Sequence, residues 1–534
     1  MSPTNLLEPY LQACGYLMPE IVLTIAIVFA ALWNLLFPKL KEATWFWAVG
    51  GLIAPMFLFR PLPATDSKTA ILFNGLFSYD ALTIAFGVIS LLVGLLVVLM
   101  TIGYEHQLGR NRGEFYAILM TAVLSVMLLA GTTDLIMLFV SLETLSICCV
   151  LLAGFSKRDI KSGEASLKYL LSTAAVTATL MYGLSFVYGL SESTSYATIA
   201  DKMAMLSVGS PSLIRLFIAV LILSAVGFKL STVPFHMWTP DVYEGAPTPV
   251  TAFLSIGSKA GGFVIALRLL TVVFAKSATD WIVLLSVLAV LSMILGNLTA
   301  LAQSSFKRML AYSSIAHIGY MVIGLIAGPQ FGYSSVVFYI IVYGLMNLGA
   351  FAGAILVTNE IGSDRIDDLS GLIRKRPILA LGMTLCLLNL AGLPLPPAGF
   401  FAKIFIFQAG LQIAPVANIN LGWILVAVAL LTSIPAIYYY TRVCVKMIVR
   451  EPSDAVQAMP AERPFFDSPQ SMPILALSIC VAFISYAGTW GADQLMTLSH
   501  MAVAPLALQA QQNNGQESTP LHMGYVPDKR SAIQ

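Results

Sequence analysis

The chain of 534 residues is 58% hydrophobic and 10% charged, with a mean hydropathy of +0.84. Soluble domains carry about 25% charged residues, so a water-soluble globule is excluded. Twenty-nine Lys and Arg against 27 Asp and Glu give a net charge of +2, which argues against a nucleic-acid partner.

In chain order, fourteen predominantly apolar stretches reach or exceed the length of about 20 residues that a bilayer requires or come close to it. They lie near 17–37, 44–60, 81–103, 115–131, 134–155, 167–190, 213–246, 250–275, 280–302, 311–328, 333–358, 377–412, 421–447 and 472–490. The runs are continuous rather than alternating, which predicts an all-α polytopic membrane protein and not a barrel. The first stretch has no basic n-region and no small-residue cleavage site, so it is expected to be a retained helix. Six cysteines, Cys14, Cys148, Cys149, Cys386, Cys444 and Cys480, are scattered without a CxxC or metal-ligand spacing. No redox centre is expected in this chain.

The charges are informative through their positions. Alternate loops hold 18 basic residues on one side, from Lys39 to Arg463, and 8 on the other, among them Arg60, Arg215 and Arg268. Basic loops stay cytoplasmic, so both termini are expected on the outer side. Lys229, Lys259 and Lys403 fall within apolar stretches, as does Glu143 in the fifth. An ionisable group at membrane depth costs at least about 2.5 kcal/mol, and it normally has a partner or a task. Structural salt bridges between helices are one reading, but three lysines and one glutamate cannot all pair. A proton relay is the other. Lys168, at the start of the sixth stretch, either belongs to such a relay or reaches back to the interface. His236 and His317 lie in membrane stretches, as proton carriers or as buried structural histidines.

The stretches 213–246 and 377–412 would each be about 50 Å long as straight helices, far more than the bilayer core of about 30 Å. Each holds mid-course prolines, Pro234 in the first and Pro394, Pro396 and Pro397 in the second. Proline removes a backbone donor and clashes with the preceding turn, so both should be discontinuous at membrane depth. The alternative is an ordinary kink. The two breaks are five stretches apart, which predicts two five-helix repeats, spans 4–8 and 9–13, inverted relative to one another. The expected organisation is an N-terminal three-helix segment at 1–104, half-channels at 115–275 and 280–447, a last helix at 472–490 and a polar, flexible or partner-contacting tail at 502–534.

Three motifs carry a resemblance: VPFHMWTPDVYEGAPTPV at 233–250, KRMLAYSSIAH at 307–317, and GLP at 392–394 followed by Gly399 and Phe400. They resemble the antiporter-like membrane subunits of respiratory complex I, and look most like the subunit N type, called NdhB in photosynthetic relatives. The resemblance implies a proton channel in which Glu143 pairs with Lys229, Lys259 links the half-channels and Lys403 lies near the outer exit, with Lys168 as a further lysine. It implies partners in a membrane arm, and that quinone, NADH or ferredoxin, FMN and iron–sulfur clusters belong to other subunits. It implies a bacterial plasma membrane, or a thylakoid as the alternative. A multisubunit cation/proton antiporter of the Mrp type is the second functional reading, and an assembly scaffold with an idle channel the third.

Overall fold

The computed structural model describes residues 3–37, 43–62, 69–104, 111–206, 213–274, 278–329, 331–416, 418–460 and 470–513. The chain runs α1 (Pro3–Tyr16), α2 (Met18–Leu36), α3 (Thr44–Met56), a short hairpin β1 (Ala70–Leu72) and β2 (Phe77–Tyr79), then α4 (Ala81–Ile102), α5 (Arg112–Ala130), α6 (Leu135–Ala153), α7 (Ile160–Ser191) and α8 (Tyr196–Leu206). It continues with α9 (Leu213–Leu230), α10 (Trp238–Gly245), α11 (Thr248–Arg268), α12 (Ala278–Leu301), α13 (Phe306–Ala327) and α14 (Gly332–Ile361). The last part holds α15 (Pro377–Ala391), α16 (Ala398–Leu411), α17 (Leu421–Ile448), α18 (Asp454–Gln457), α19 (Ser471–Thr489) and α20 (Ala492–Asn513). Asp80, Asp134, Asp159 and Ser305 start four of these helices, each side chain accepting a hydrogen bond from an amide of the first turn. That satisfies a donor the helix itself leaves free.

Eleven of the described helices are long and apolar enough to cross a bilayer, or twelve if α1 and α2, bent by 74°, form one span. One of the fourteen sequence stretches differs: 44–60 yields only the 13-residue α3; 377–412 is divided, where its prolines lie, between α15 and α16, each too short to cross alone. The polar tail expected from residue 502 also differs. The chain stays helical to Asn513, because Ala502, Val503 and Leu506 give α20 an apolar face that is buried. Residues 514–534 of that tail lie outside the described residues, as do eight residues of the charge count: Lys39, Lys41, Lys68, Arg110, Lys276, Arg463, Lys529 and Arg530.

Every residue of α11 is buried, and α13 and α14 are nearly as enclosed. Helices apolar on all sides belong in the middle of a bundle. Around them α7, α12, α17 and α19 keep open outer faces. Arg268, counted with the loops by sequence, is fully enclosed at the end of α11. Its Nη1 and Nη2 meet both oxygens of Asp80 at 2.8 and 2.9 Å, and its Nε and Nη2 donate to the Ala130 carbonyl at 2.9 and 2.7 Å. One guanidinium thus ties the start of α4 to the ends of α5 and α11.

Both long stretches are broken, as the prolines predict. The first leaves helical geometry at Ser231, whose φ of 67° is left-handed, and resumes at Trp238. The loosened backbone finds local partners: Thr232 N donates to Gly227 O at 2.8 Å, Val233 N to Ser292 Oγ at 2.9 Å, and Trp238 Nε1 to Phe228 O at 3.2 Å. The second break turns at Gly392, with φ of 83°. A side chain there would be strained in that conformation and would also meet Lys403 at 2.8 Å, so only glycine fits. Irregular backbone at membrane depth is tolerated where protein surrounds it.

Candidate proton pathway

Of the four ionisable groups singled out within the apolar stretches, Lys229, Lys259 and Lys403 are buried inside the bundle and Glu143 is half-buried at its edge. Lys229 sits on the last turn of α9, one residue from its end, and its Nζ donates to Ser146 Oγ on α6 at 2.9 Å. Glu143 is on the same helix three residues earlier, half-buried, and accepts from Thr177 Oγ1 of α7 at 2.5 Å. Glu143 and Lys229 therefore do not meet as an ion pair; α6 joins them through neighbouring positions. Glu143 lies toward α7, the helix with the most open outer face.

Lys259, 1% exposed, is central in α11. It donates to Ser314 of α13, and its ammonium stands 5.8 Å from the Tyr243 ring centre, within cation–π range. Beside Ser314, at the next residue of α13, a second bonded segment begins. Ser313 bonds to Tyr440 of α17, and Tyr440 Oη lies 3.3 Å from His317 Nε2. His317 Nδ1 lies 2.8 Å from Tyr339 Oη of α14. Ser313, Ser314 and His317 share one face of α13 because residues three and four apart are helix neighbours. Next to Tyr440, Tyr439 donates to Asn297 Oδ1 at 3.3 Å, and Asn297 Nδ2 donates to Tyr320 Oη at 2.9 Å. Lys403 of α16 completes the line. Its ammonium lies 5.4 Å from the Tyr320 ring centre and donates at 2.8 Å to the carbonyl of Ala391, which the α15–α16 break leaves without a helical partner.

Between Lys229 and Lys259 the path is polar but not bonded. Cys149, Tyr169 and Ser258 face one another, yet the Tyr169 and Ser258 hydroxyls have no hydrogen-bond partner, nor does that of Tyr243. A buried hydroxyl without a partner costs about 1–3 kcal/mol, and sites lined by several such groups hold water. A high-resolution map of the assembled protein is expected to show ordered water between Tyr169 Oη, Ser258 Oγ and Tyr243 Oη; a dry, closed gap there would contradict this.

Two predicted residues stand off this line. His236 lies in the α9–α10 break, its Nδ1 unpartnered beside the similarly unpartnered hydroxyls of Ser231, Thr232 and Thr239. Lys168 is exposed and belongs to a surface ion network. It bonds Glu164 at 2.7 Å and Asp241 at 2.8 Å, while Arg308 bonds Asp241 at 3.0 Å and Glu244 at 2.9 Å. These contacts clasp α10 between α7 and α13. Burial raises the Asp241 carboxyl, but hydrogen bonds and charge from Lys168 and Arg308 outweigh it and hold it below the ordinary carboxylate range. A depressed value means the clasp contributes fully above the ordinary value of 3.8 and is lost as pH falls below it. Exposed pairs contribute little, so Asp241→Asn is expected to cost less than about 1 kcal/mol, read as a small shift in thermal unfolding at neutral pH that vanishes in strong acid.

Sequence reasoning found the lysines, Glu143 and His317 but passed over Tyr243, Tyr320, Tyr339, Tyr439, Tyr440, Ser313, Ser314 and Asn297. A usable signal existed. Tyr320 follows His317 by three residues, and Ser313 precedes it by four, so all three fall on one helix face.

A family model described as NADH:quinone oxidoreductase/Mrp antiporter, TM, matches residues 132–432. NAD(P)H-quinone oxidoreductase subunit 2 of Crocosphaera subtropica is 46% identical over 455 residues, covering 84% of this chain and 85% of the relative. The protein of the same name from Nostoc punctiforme is 45% identical over 499 residues, covering 92% and 90%. Among solved structures, a chain of respiratory complex I from Thermus thermophilus matches with a TM-score of 0.68 and 30% identity, over 88% of this chain and 98% of that one. A chain of the Mrp complex from Dietzia shares the fold, with a TM-score of 0.71 at 22% identity, over 93% of this chain and 56% of that one. With its motifs, its broken helices and its buried lysines, the chain belongs to the antiporter-like membrane subunits of the quinone oxidoreductase family, in the branch of the subunit 2 proteins.

Proposed function

We propose that this chain carries protons across the membrane through Glu143, Lys229, Lys259 and Lys403, as a membrane-arm subunit of a complex I-like quinone oxidoreductase, and that it is in this sense part of a translocase. The observation that carries the reading is the row of hydroxyls, with the His317 imidazole and the Asn297 carboxamide among them, that lies in short hydrogen-bonded segments between Lys259 and Lys403 inside an otherwise apolar core. Hydroxyl and imidazole groups both accept and donate, which a chain of proton transfers requires.

In this mechanism Glu143, at the edge of the bundle, senses charge from a neighbouring subunit. A change there alters the affinity of Lys229 for its proton, because unlike charges nearby favour the ammonium. The proton then passes over water at Tyr169 and Ser258 to Lys259, and over the tyrosine and histidine line to Lys403. The two breaks provide the local give, and His236 and its unpartnered neighbours form a hydrated flank of the first one. Lys168 acts from outside, holding α10. The two halves, each containing a broken helix with a lysine beside the break, are inverted copies of one design.

Electron transfer to quinone belongs to other subunits. The residues here do not suit a flavin or an iron–sulfur cluster: the described cysteines are free thiols spread over α1, α6, α15, α17 and α19. Basic residues Lys161, Lys168, Arg308, Arg442 and Lys446 gather at one end of the bundle, which supports a cytoplasmic face there and termini on the opposite side, in a plasma membrane or a thylakoid. A cation/proton antiporter is less well supported, since the relatives above 40% identity are oxidoreductase subunits.

The test is Glu143→Gln in the intact complex. Proton pumping in inverted vesicles, normalised to quinone reduction, is expected to fall by most of the share that this subunit carries; unchanged pumping would overturn the role of Glu143.

A further inference from the structure

The end of α17 carries a feature that the proton line does not use. An open recess of about 260 Å³ is lined by Tyr438, Thr441, Arg442, Val445, Lys446 and Arg450. Above it on the same helix, Leu431, Ile434 and Tyr438 are all at least 60% exposed. The positions 431, 434, 438, 442 and 446 advance by three or four residues, so they form one continuous stripe, and Arg450, two residues past the end of α17 at Ile448, lines the recess below it. At about 1.5 Å per residue, the apolar part from Leu431 to Tyr438 covers about 10 Å before the basic part begins.

The charge of the recess is only partly compensated. Lys446 bonds Asp367. Arg442 gives its two Nη groups to the carbonyls of Leu301 and Gln303, both at 3.0 Å, so it caps α12 without meeting a carboxylate. Its Nε is buried and unpartnered. Arg450 is exposed and, among the described residues, bonds no acid. Glu451 beside it is engaged by Arg374 at 2.8 Å. Three cations against Asp367 leave a positive recess directly below an exposed apolar strip, with Tyr438, an aromatic residue of the kind that favours the membrane interface, at the junction.

We propose that this stripe is a binding site for an anionic phospholipid, with the headgroup phosphate in the recess at Lys446 and Arg450 and an acyl chain along Tyr438, Ile434 and Leu431. A phosphodiester supplies the negative charge that the recess lacks, and basic pockets at the cytoplasmic end of membrane helices select such headgroups. The acyl chain covers apolar side chains that none of the described residues covers. A protein partner would have to offer both an acidic group and an apolar strip in the same register.

The test uses the intact complex in lipid nanodiscs doped with phosphatidylglycerol bearing a photoreactive group on its acyl chain. Labelling is expected on α17 between Leu431 and Tyr438, several-fold above that from the matching phosphatidylcholine probe. It is expected to drop several-fold in the Lys446→Gln/Arg450→Gln double variant, with Arg442 kept because it caps α12. Should the double variant fail to assemble, Arg450→Gln alone, at an exposed position, should still lower the labelling. Equal labelling by both lipids, labelling unaffected by the substitutions, or protection of this face by a neighbouring subunit would overturn the proposal. Displacement by millimolar inorganic phosphate would point to a free anion instead and overturn it as well.

Discussion

Lys259→Ala is expected to lower the share of proton pumping that this subunit carries in the intact complex at least about tenfold relative to quinone reduction, while the protein still folds and assembles. The substitution removes the amine that stands between the unbonded hydroxyls of Tyr169 and Ser258 and the hydroxyls of Ser314 and Ser313 on α13. A tenfold loss corresponds to only about 1.4 kcal/mol of barrier, less than the cost of leaving one charge step without a carrier at membrane depth. Folding should survive, because an uncharged side chain is easier to bury than the lysine it replaces. Lys259→Met separates charge from volume: it fills the space and should pump no better than the alanine variant. Acidification of vesicles, followed with a pH-sensitive dye and divided by the rate of quinone reduction, reads the effect. Pumping near the unsubstituted level in both variants would remove Lys259 from the path.

The second large effect is on stability. Asp80→Ala leaves the Arg268 guanidinium enclosed without its carboxylate, which costs about 3–5 kcal/mol for a buried pair. It also removes the cap that accepts from the Thr83 amide at 2.9 Å. Much less assembled complex, or a strongly lowered unfolding temperature, is the expected result. Removing both partners in Asp80→Ala/Arg268→Leu should recover a large part, since the stranded charge is gone. Recovery will be incomplete because the Ala130 carbonyl loses two donors. A single Asp80→Ala protein as stable as the unsubstituted one would mean that Arg268 finds another counter-charge.

The parts legible in the sequence are those set by composition and by rare residues in an apolar setting. Lys229, Lys259 and Lys403 stand out because charge at membrane depth is costly, and Pro234 and Pro394 mark breaks because proline cannot continue a helix. What the sequence concealed is set by packing. Tyrosines and serines are ordinary in membrane helices, so nothing in the local sequence of Tyr339 or Tyr440 says that their hydroxyls converge on His317. Arg268 reads as a loop residue because its counter-charge, Asp80, is 188 positions away. α20 was hidden because Gln and Asn at its end obscure the apolar face of Ala502, Val503 and Leu506. The contact between Glu143 and Thr177 depends on how α7 lies against α6, which no spacing encodes.

The most direct test of the proton line is the number of protons moved per electron by the intact complex, reconstituted in sealed vesicles, with Lys229→Ala beside the unsubstituted protein. The account predicts a lower ratio in the variant at a similar quinone affinity, because the share carried by this subunit is lost while other subunits continue. An unchanged ratio, with the variant fully assembled, would contradict it.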